Sequence, residues 1–370
     1  MNIGIITFHY ANNYGAIMQA YGLQSYLEQQ GHEVEFINYR PREEKHFLKQ
    51  GLRCVLSLLQ ITRGSWKNSR YTEKFHQILH VGKKLYTTFQ QLEQSPPPYD
   101  LYITGSDQVW TPQFGGNYLE PAYFLRFTGK GARKIAYAAS MGQCRLSEKN
   151  KSEMKTYLED FDSISVREDK AKTALESMSL KQHIHRTLDP SLLAGREIFE
   201  KAAAPIPEKP DSYICAYLLD KLEGSHQQIL QYLQNEEKCP IIRLRNPESC
   251  IRLDGGVNRF VSPEEWISYF MHSRMAVCGS FHALAFSLMF HKPFICMHSS
   301  EKEIEAGGDC RILSLLKPMG LDYRCFAELD MERLTKCLET PIDWNKVDGH
   351  LEKLRQESID FLTSSHVISQ

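Results

Sequence analysis

Ile3-Gly4-Ile5-Ile6-Thr7-Phe8 opens the chain as a short apolar run, and Glu33-Val34-Glu35-Phe36-Ile37-Asn38-Tyr39 answers it one helix later. The first run is long enough for a buried strand and too short for a helix. His9-Tyr10-Ala11-Asn12-Asn13-Tyr14-Gly15 between them is polar and turn-prone. From Ala16 the residues Ile17, Ala20, Leu23, Tyr26 and Leu27 fall at helical spacing, and Gly31 supplies a left-handed cap. Strand, loop, helix, glycine and strand make a right-handed βαβ unit, which requires a parallel sheet.

The pattern repeats outward from this unit. Residues 42–98 read as a helical insertion with scattered basic groups, closed by the stiff Ser95-Pro96-Pro97-Pro98. Strands follow at Tyr99–Thr104, Arg133–Ala138 and Ser163–Val166. Three prolines within Ala202–Asp211 mark a linker. The alternation then restarts with a strand over Tyr213–Leu219, a helix near 226–236 and a strand over Ile241–Leu244. Ser262-Pro263-Glu264-Glu265 is a helix start, with a cap, a proline at the first position and an acidic first turn. No repeat recurs at a solenoid period. The reading is α/β: an N-terminal domain over 1–205, and a C-terminal domain with a terminal helix over 206–370, with a cleft between them.

The 370 residues suit two domains at ~100–200 residues each. A hydrophobic share of 42% with 24% charged residues is globular composition. The formal net charge of −1 gives no basic field for nucleic acid. The start lacks the basic and apolar regions of a signal peptide. Met275–Met297 is broken by Ser280, His282, His291, Lys292 and Pro293, so it reads as core rather than as a membrane span. The 10 cysteines include no C-x-x-C pair, which speaks against a zinc site or a disulfide framework and for reduced thiols in a cytoplasmic protein.

Candidate chemistry gathers where strands end. In Met275-Ala276-Val277-Cys278-Gly279-Ser280-Phe281-His282 a strand stops at Cys278, Gly279-Ser280 turns, and a helix starts near Phe281. His282 then sits in the first helical turn, where unpaired N–H groups attract phosphate or carboxylate. The plain alternative is a capped helix with a hydrogen-bonded histidine. Ser106, Asp107 and Gln108 follow another strand and face the cleft, unless Asp107 only forms an Asx turn. Asn13 and Gly15 follow the first strand, but Asn12-Asn13-Tyr14-Gly15 is no dinucleotide fingerprint, which weakens an oxidoreductase reading. Arg167 ends a strand and offers a planar fork to a carboxylate, or else pairs with Glu168 and Asp169. Arg243 and Arg245 alternate along one strand face, and Asp160-Phe161-Asp162 reads as structural despite its D-x-D pattern. No hydrolase elbow, zincin or Walker signature occurs, so no metal or cofactor is called for. Phe47–Trp66 is amphipathic with basic neighbours: a helix packed on the sheet, or a peripheral contact with an anionic membrane.

Taken together, these segments resemble the polysaccharide pyruvyl transferase family. The resemblance runs through Gly4-Ile5-Ile6-Thr7, Asn13-Tyr14-Gly15, Gly105-Ser106-Asp107-Gln108-Val109-Trp110 and Ser165-Val166-Arg167-Glu168. It continues through Leu188-Asp189-Pro190-Ser191-Leu192-Leu193, Ser262-Pro263-Glu264-Glu265-Trp266, Ser280-Phe281-His282 and Lys292-Pro293-Phe294. It implies a fold similar to GT-B glycosyltransferases, two Rossmann-like domains facing across a cleft. It also implies pyruvate transfer from phosphoenolpyruvate, as co-substrate, onto two hydroxyls of a sugar, forming a cyclic ketal. The family's functional histidine matches His282 and its arginine matches Arg167. Ser280 and the start of its helix would join Arg167 in holding the donor from opposite domains. The acceptor implied is a saccharide, expected as a lipid-linked oligosaccharide assembled on the cytoplasmic face of the membrane. A nucleotide-sugar glycosyltransferase on the same fold, or a silent sugar-binding relative, are the competing readings. Two departures stand out, Gly279 and Ala283: the family reads T-D-S-F-H-G where this chain has Cys278-Gly279-Ser280-Phe281-His282-Ala283, so an acidic partner for His282 or for the acceptor is lost before Ser280.

Overall fold

The computed structural model describes residues 1–41, 77–112, 118–142, 146–206, 208–219, 224–245, 257–297 and 310–368. The amphipathic segment Phe47–Trp66 and most of the expected insertion lie outside the described residues.

The first half runs β1 (Asn2–Ile6), α1 (Tyr14–Gln29), β2 (Glu33–Phe36), α2 (Phe89–Gln94), β3 (Leu101–Thr104), β4 (Lys134–Ala139), α3 (Glu148–Leu158), β5 (Ser163–Val166), α4 (Asp169–Glu176), β6 (Ile184–Arg186), α5 (Pro190–Ala194) and α6 (Arg196–Ala202). The second runs β7 (Ile214–Leu218), α7 (Gly224–Glu237), β8 (Ile241–Leu244), β9 (Val257–Arg259), α8 (Pro263–His272), β10 (Met275–Gly279), α9 (Phe281–Met289), β11 (Phe294–Met297), α10 (Cys310–Leu316), β12 (Cys325–Phe326), α11 (Met331–Glu339) and α12 (Trp344–Ser364).

Two six-stranded sheets result, ordered β2-β1-β3-β4-β5-β6 and β12-β11-β10-β7-β8-β9. Every described pairing between these strands is parallel. Parallel sheets need both faces covered, and β3, β4, β7 and β8 are buried along their whole length. Strand order reverses between β1 and β3 in one sheet and between β7 and β10 in the other, and ligands bind outside the strand ends at such points.

Helix α1 departs from the one-sided helix that its spacing suggests: it is buried on nearly every face, including Gln19 and Gln24. Gln19 Nε2 donates to the Ala16 carbonyl at 2.8 Å and to the Thr7 hydroxyl at 3.2 Å, which compensates the amide nitrogen, while its Oε1 has no partner among the described residues. The cause is the second sheet. The Tyr14 hydroxyl donates to the Val261 carbonyl at 2.7 Å, and its ring stacks on Trp266 with centroids 5.6 Å apart. Gly22 lets α1 approach α5, because a Cβ there would lie 2.6 Å from the Pro190 carbonyl oxygen. Helix α12 returns to the first sheet, where Phe361 meets Tyr137 and the Ser358 hydroxyl accepts the Leu188 N–H at 2.8 Å.

Candidate active site

Asp189 is the centre of the site, and the residue-by-residue reading of the sequence passed over it. It follows β6 and caps α5, its Oδ1 accepting the Ser191 N–H at 3.0 Å and the Ser191 hydroxyl at 2.7 Å. Its Oδ2 is shared. The Ser106 hydroxyl donates to it at 3.2 Å, Arg167 Nη1 donates to it at short range, and His282 Nε2 stands 3.5 Å away. Loops after β3, β5 and β6 of one sheet and the start of α9 beneath the other thus converge on one carboxylate. Burial alone pushes the Asp189 carboxyl up. The charge and contact of His282, then Arg167 and the Ser191 amide, outweigh it and hold the group far below the usual carboxylate range. It is an ionised, fully buried anion.

Arg167 is 5% exposed and its partners are internal. Nε donates to Glu168 Oε1 at 3.3 Å, and Nη1 reaches the Ser106 hydroxyl at 3.4 Å. The Ser140 hydroxyl donates to the same Glu168 oxygen at 2.6 Å. Desolvation opposes the charge on Arg167, but Asp189, Glu168 and Asp107 together raise its pKa. Nη2 is buried and has no hydrogen-bond partner among the described residues. The guanidinium also covers the Phe281 ring at 5.0 Å.

His282 is 6% exposed, so it is buried rather than displayed on a cleft surface. Its ring rests on the first turn of α1: a Cβ on Gly15 would sit 2.2 Å from Nδ1. Gly15 is required there by close approach. The acidic side chain beside His282 is Asp189, which follows a strand of the other sheet. Position 279 has no room for one, since a Cβ would lie 2.9 Å from the Leu218 Cα.

The remaining candidates divide. Asn13 caps α1, its Oδ1 accepting the Gly15 N–H at 2.8 Å, and Ser280 caps α9, accepting the Ala283 N–H at 3.1 Å. Both shape the site through backbone. Asp107 takes a positive φ of 83° and its Oδ1 accepts the Gln108 N–H at 2.8 Å, the Asx-type turn anticipated as the alternative. Asp107 and Gln108 are half-buried, with no bond to Asp189 or His282. Asp160 pairs with Arg126 at 3.0 Å, and Asp162 accepts the Lys134 N–H at 2.8 Å, so that D-x-D serves the structure. No group of three metal-binding side chains forms among the described residues. No described helix is long and apolar enough to cross a membrane.

Two parallel sheets with facing strand ends define a GT-B-like α/β protein of two Rossmann-like domains. Solved structures agree at the level of fold. UDP-GlcNAc 2-epimerase from Methanocaldococcus jannaschii is 12% identical, with a TM-score of 0.52 and 93% of each chain covered. LpCGTa in complex with UDP is 10% identical, with a TM-score of 0.53 over 100% of this chain and 99% of that one. The glycotransferase of kitacinnamycin is 11% identical, with a TM-score of 0.51 and the same coverage. No curated protein matches the sequence significantly. The polysaccharide pyruvyl transferase profile matches residues 13–301, and the chain belongs to that family. It is therefore a transferase of polysaccharide biosynthesis that works on a saccharide acceptor.

Proposed function

We propose that the protein transfers pyruvate from phosphoenolpyruvate to a sugar of a polysaccharide or lipid-linked oligosaccharide precursor, forming a cyclic ketal. The observation that carries this reading is the meeting of Arg167 and His282, from opposite halves, on Asp189. Phosphoenolpyruvate presents two anionic groups to Arg167 and the start of α9. His282 delivers a proton to C3 of the enol, leaving an oxocarbenium centre at C2. A sugar hydroxyl attacks C2 and loses its proton. Phosphate departs with the C–O electron pair, and a second hydroxyl closes the ring as its proton is lost. Of the two hydroxyl protons, one balances the proton now on C3 and the other leaves on hydrogen phosphate.

The reaction run in D₂O tests this reading. The CH₂ of phosphoenolpyruvate becomes a CH₂D ketal when C3 protonation is irreversible, read by proton NMR and mass spectrometry. A vinyl product would indicate enolpyruvyl transfer. Unconsumed phosphoenolpyruvate across a broad acceptor panel, with thermal stabilisation by a nucleoside diphosphate, would indicate a glycosyltransferase. Stabilisation by neither donor would indicate a binding protein.

A further inference from the structure

Beside Asp189 lies a cavity of about 20 Å³ that neither His282 nor Ser106 lines. Arg167, Arg186 and Arg311 line it, with Thr187 and a wall of Leu188, Leu192, Leu315, Leu354 and Phe281. Three arginines thus line a cavity in which the carboxylate present, Asp189, is already engaged by Ser191, Ser106, Arg167 and His282. Arg186 is partly neutralised, with Nη1 3.3 Å from Asp169 Oδ1 and Nη2 donating to the Ser314 carbonyl at 3.4 Å. Arg311 has no ion pair among the described residues, and Arg167 Nη2 is buried without a partner. A buried, charged donor left unpaired is costly, so its retention points to a ligand that pairs it. The apolar wall strengthens any such pairing by excluding water.

We infer that Arg186 and Arg311, with Nη2 of Arg167, form the subsite for the phosphoryl group of the donor, a reading that rests on the donor being phosphoenolpyruvate. A carboxylate is satisfied by one fork, whereas a phosphoryl dianion calls for several cationic donors on different sides. The volume admits one oxygen-sized group, and Arg311, half-buried, lines the cavity from outside the Asp189 cluster, so in this scheme one phosphoryl oxygen occupies the cavity and the rest of the group extends beyond it. Arg186 and Arg311 are specificity-determining residues in this scheme: they select a phosphorylated donor over a bare carboxylate.

The test is binding of inorganic phosphate to the full chain by calorimetry at fixed ionic strength, with pyruvate as the carboxylate-only control. Arg311→Met should weaken phosphate binding by about tenfold or more, the scale of one charged hydrogen bond, and leave pyruvate binding unchanged. Arg311→Lys should recover part of the loss, and Arg186→Lys provides a second variant should Arg311→Met fold poorly. Equal phosphate affinity in wild type and Arg311→Met, or no phosphate binding by the wild type, would overturn the subsite. Phosphate binding that needs Arg311 in a protein that never consumes phosphoenolpyruvate would uphold the subsite and sink the donor assignment instead.

Discussion

A histidine ring pressed onto a glycine has few places to go. The Asp189 carboxylate lies 3.5 Å from Nε2 of His282 and the first turn of α1 packs against the other edge of the ring, so packing confines the imidazole before substrate arrives. Such preorganisation makes proton transfer efficient, since no side-chain ordering is left for the reacting complex. His282→Gln retains a polar side chain of comparable length but cannot carry a proton at neutral pH. Phosphate release should fall by ~10²-fold or more while circular dichroism keeps the wild-type spectrum. Because the ring is buried, the melting temperature should drop modestly as well. Full activity in this variant would remove His282 from the mechanism. Gly15, Ser106, Arg167 and His282 were legible in the sequence because each directly follows or closely trails a strand end, where open parallel sheets collect function. Asp189 was hidden for a physical reason. An aspartate before Pro190 reads as a helix cap, which it also is, and its strand is the three-residue Ile184–Arg186, too short to show a period.

At the level of elements, α1 connects fold and chemistry. Its spacing identified a helix, and the burial of its polar face followed only once a second sheet was placed against it. Strands β6, β9 and β12 escaped sequence reading for the same reason as each other: two or three residues carry no alternation. Gly22 in α1 illustrates how packing overrides propensity. In an exposed helix, Gly→Ala gains roughly 1 kcal/mol from reduced chain entropy. Here the new methyl would overlap the Pro190 carbonyl, and backbone gives way less easily than a side chain. Gly22→Ala should therefore lower the melting temperature and, by displacing α5 and the Asp189 that caps it, reduce turnover together with stability. A rise in melting temperature would show that α1 and α5 are free to part.

At the scale of the whole molecule, the two sheets each keep a buried cluster of their own and share a third between them. The shared cluster runs from Ile3 and Ile17 through Tyr14 to Trp266, Phe286 and Phe294, and α12 ties the end of the chain back onto the first sheet. Relative domain motion is the usual expectation when an interface is small and polar; this one is extensive and aromatic. Calorimetric unfolding at neutral pH should accordingly give one transition, and two resolved transitions would refute the shared core. Acid should loosen the same junction in a way that identifies Asp189. Its pKa is depressed in the folded state, so its stabilisation is fully present above the unfolded aspartate value and is lost as pH falls toward the folded one. Asp189→Asn has no such charge to lose. Its melting temperature should lie furthest below wild type above about pH 5, and the gap should begin to close below about pH 4, where the carboxyl of the unfolded wild-type chain takes up its proton while the folded one stays ionised. A gap that stays constant from pH 7 to pH 3 would mean that the ionised carboxylate, with Arg167 on one side and His282 on the other, contributes nothing to holding the two sheets together.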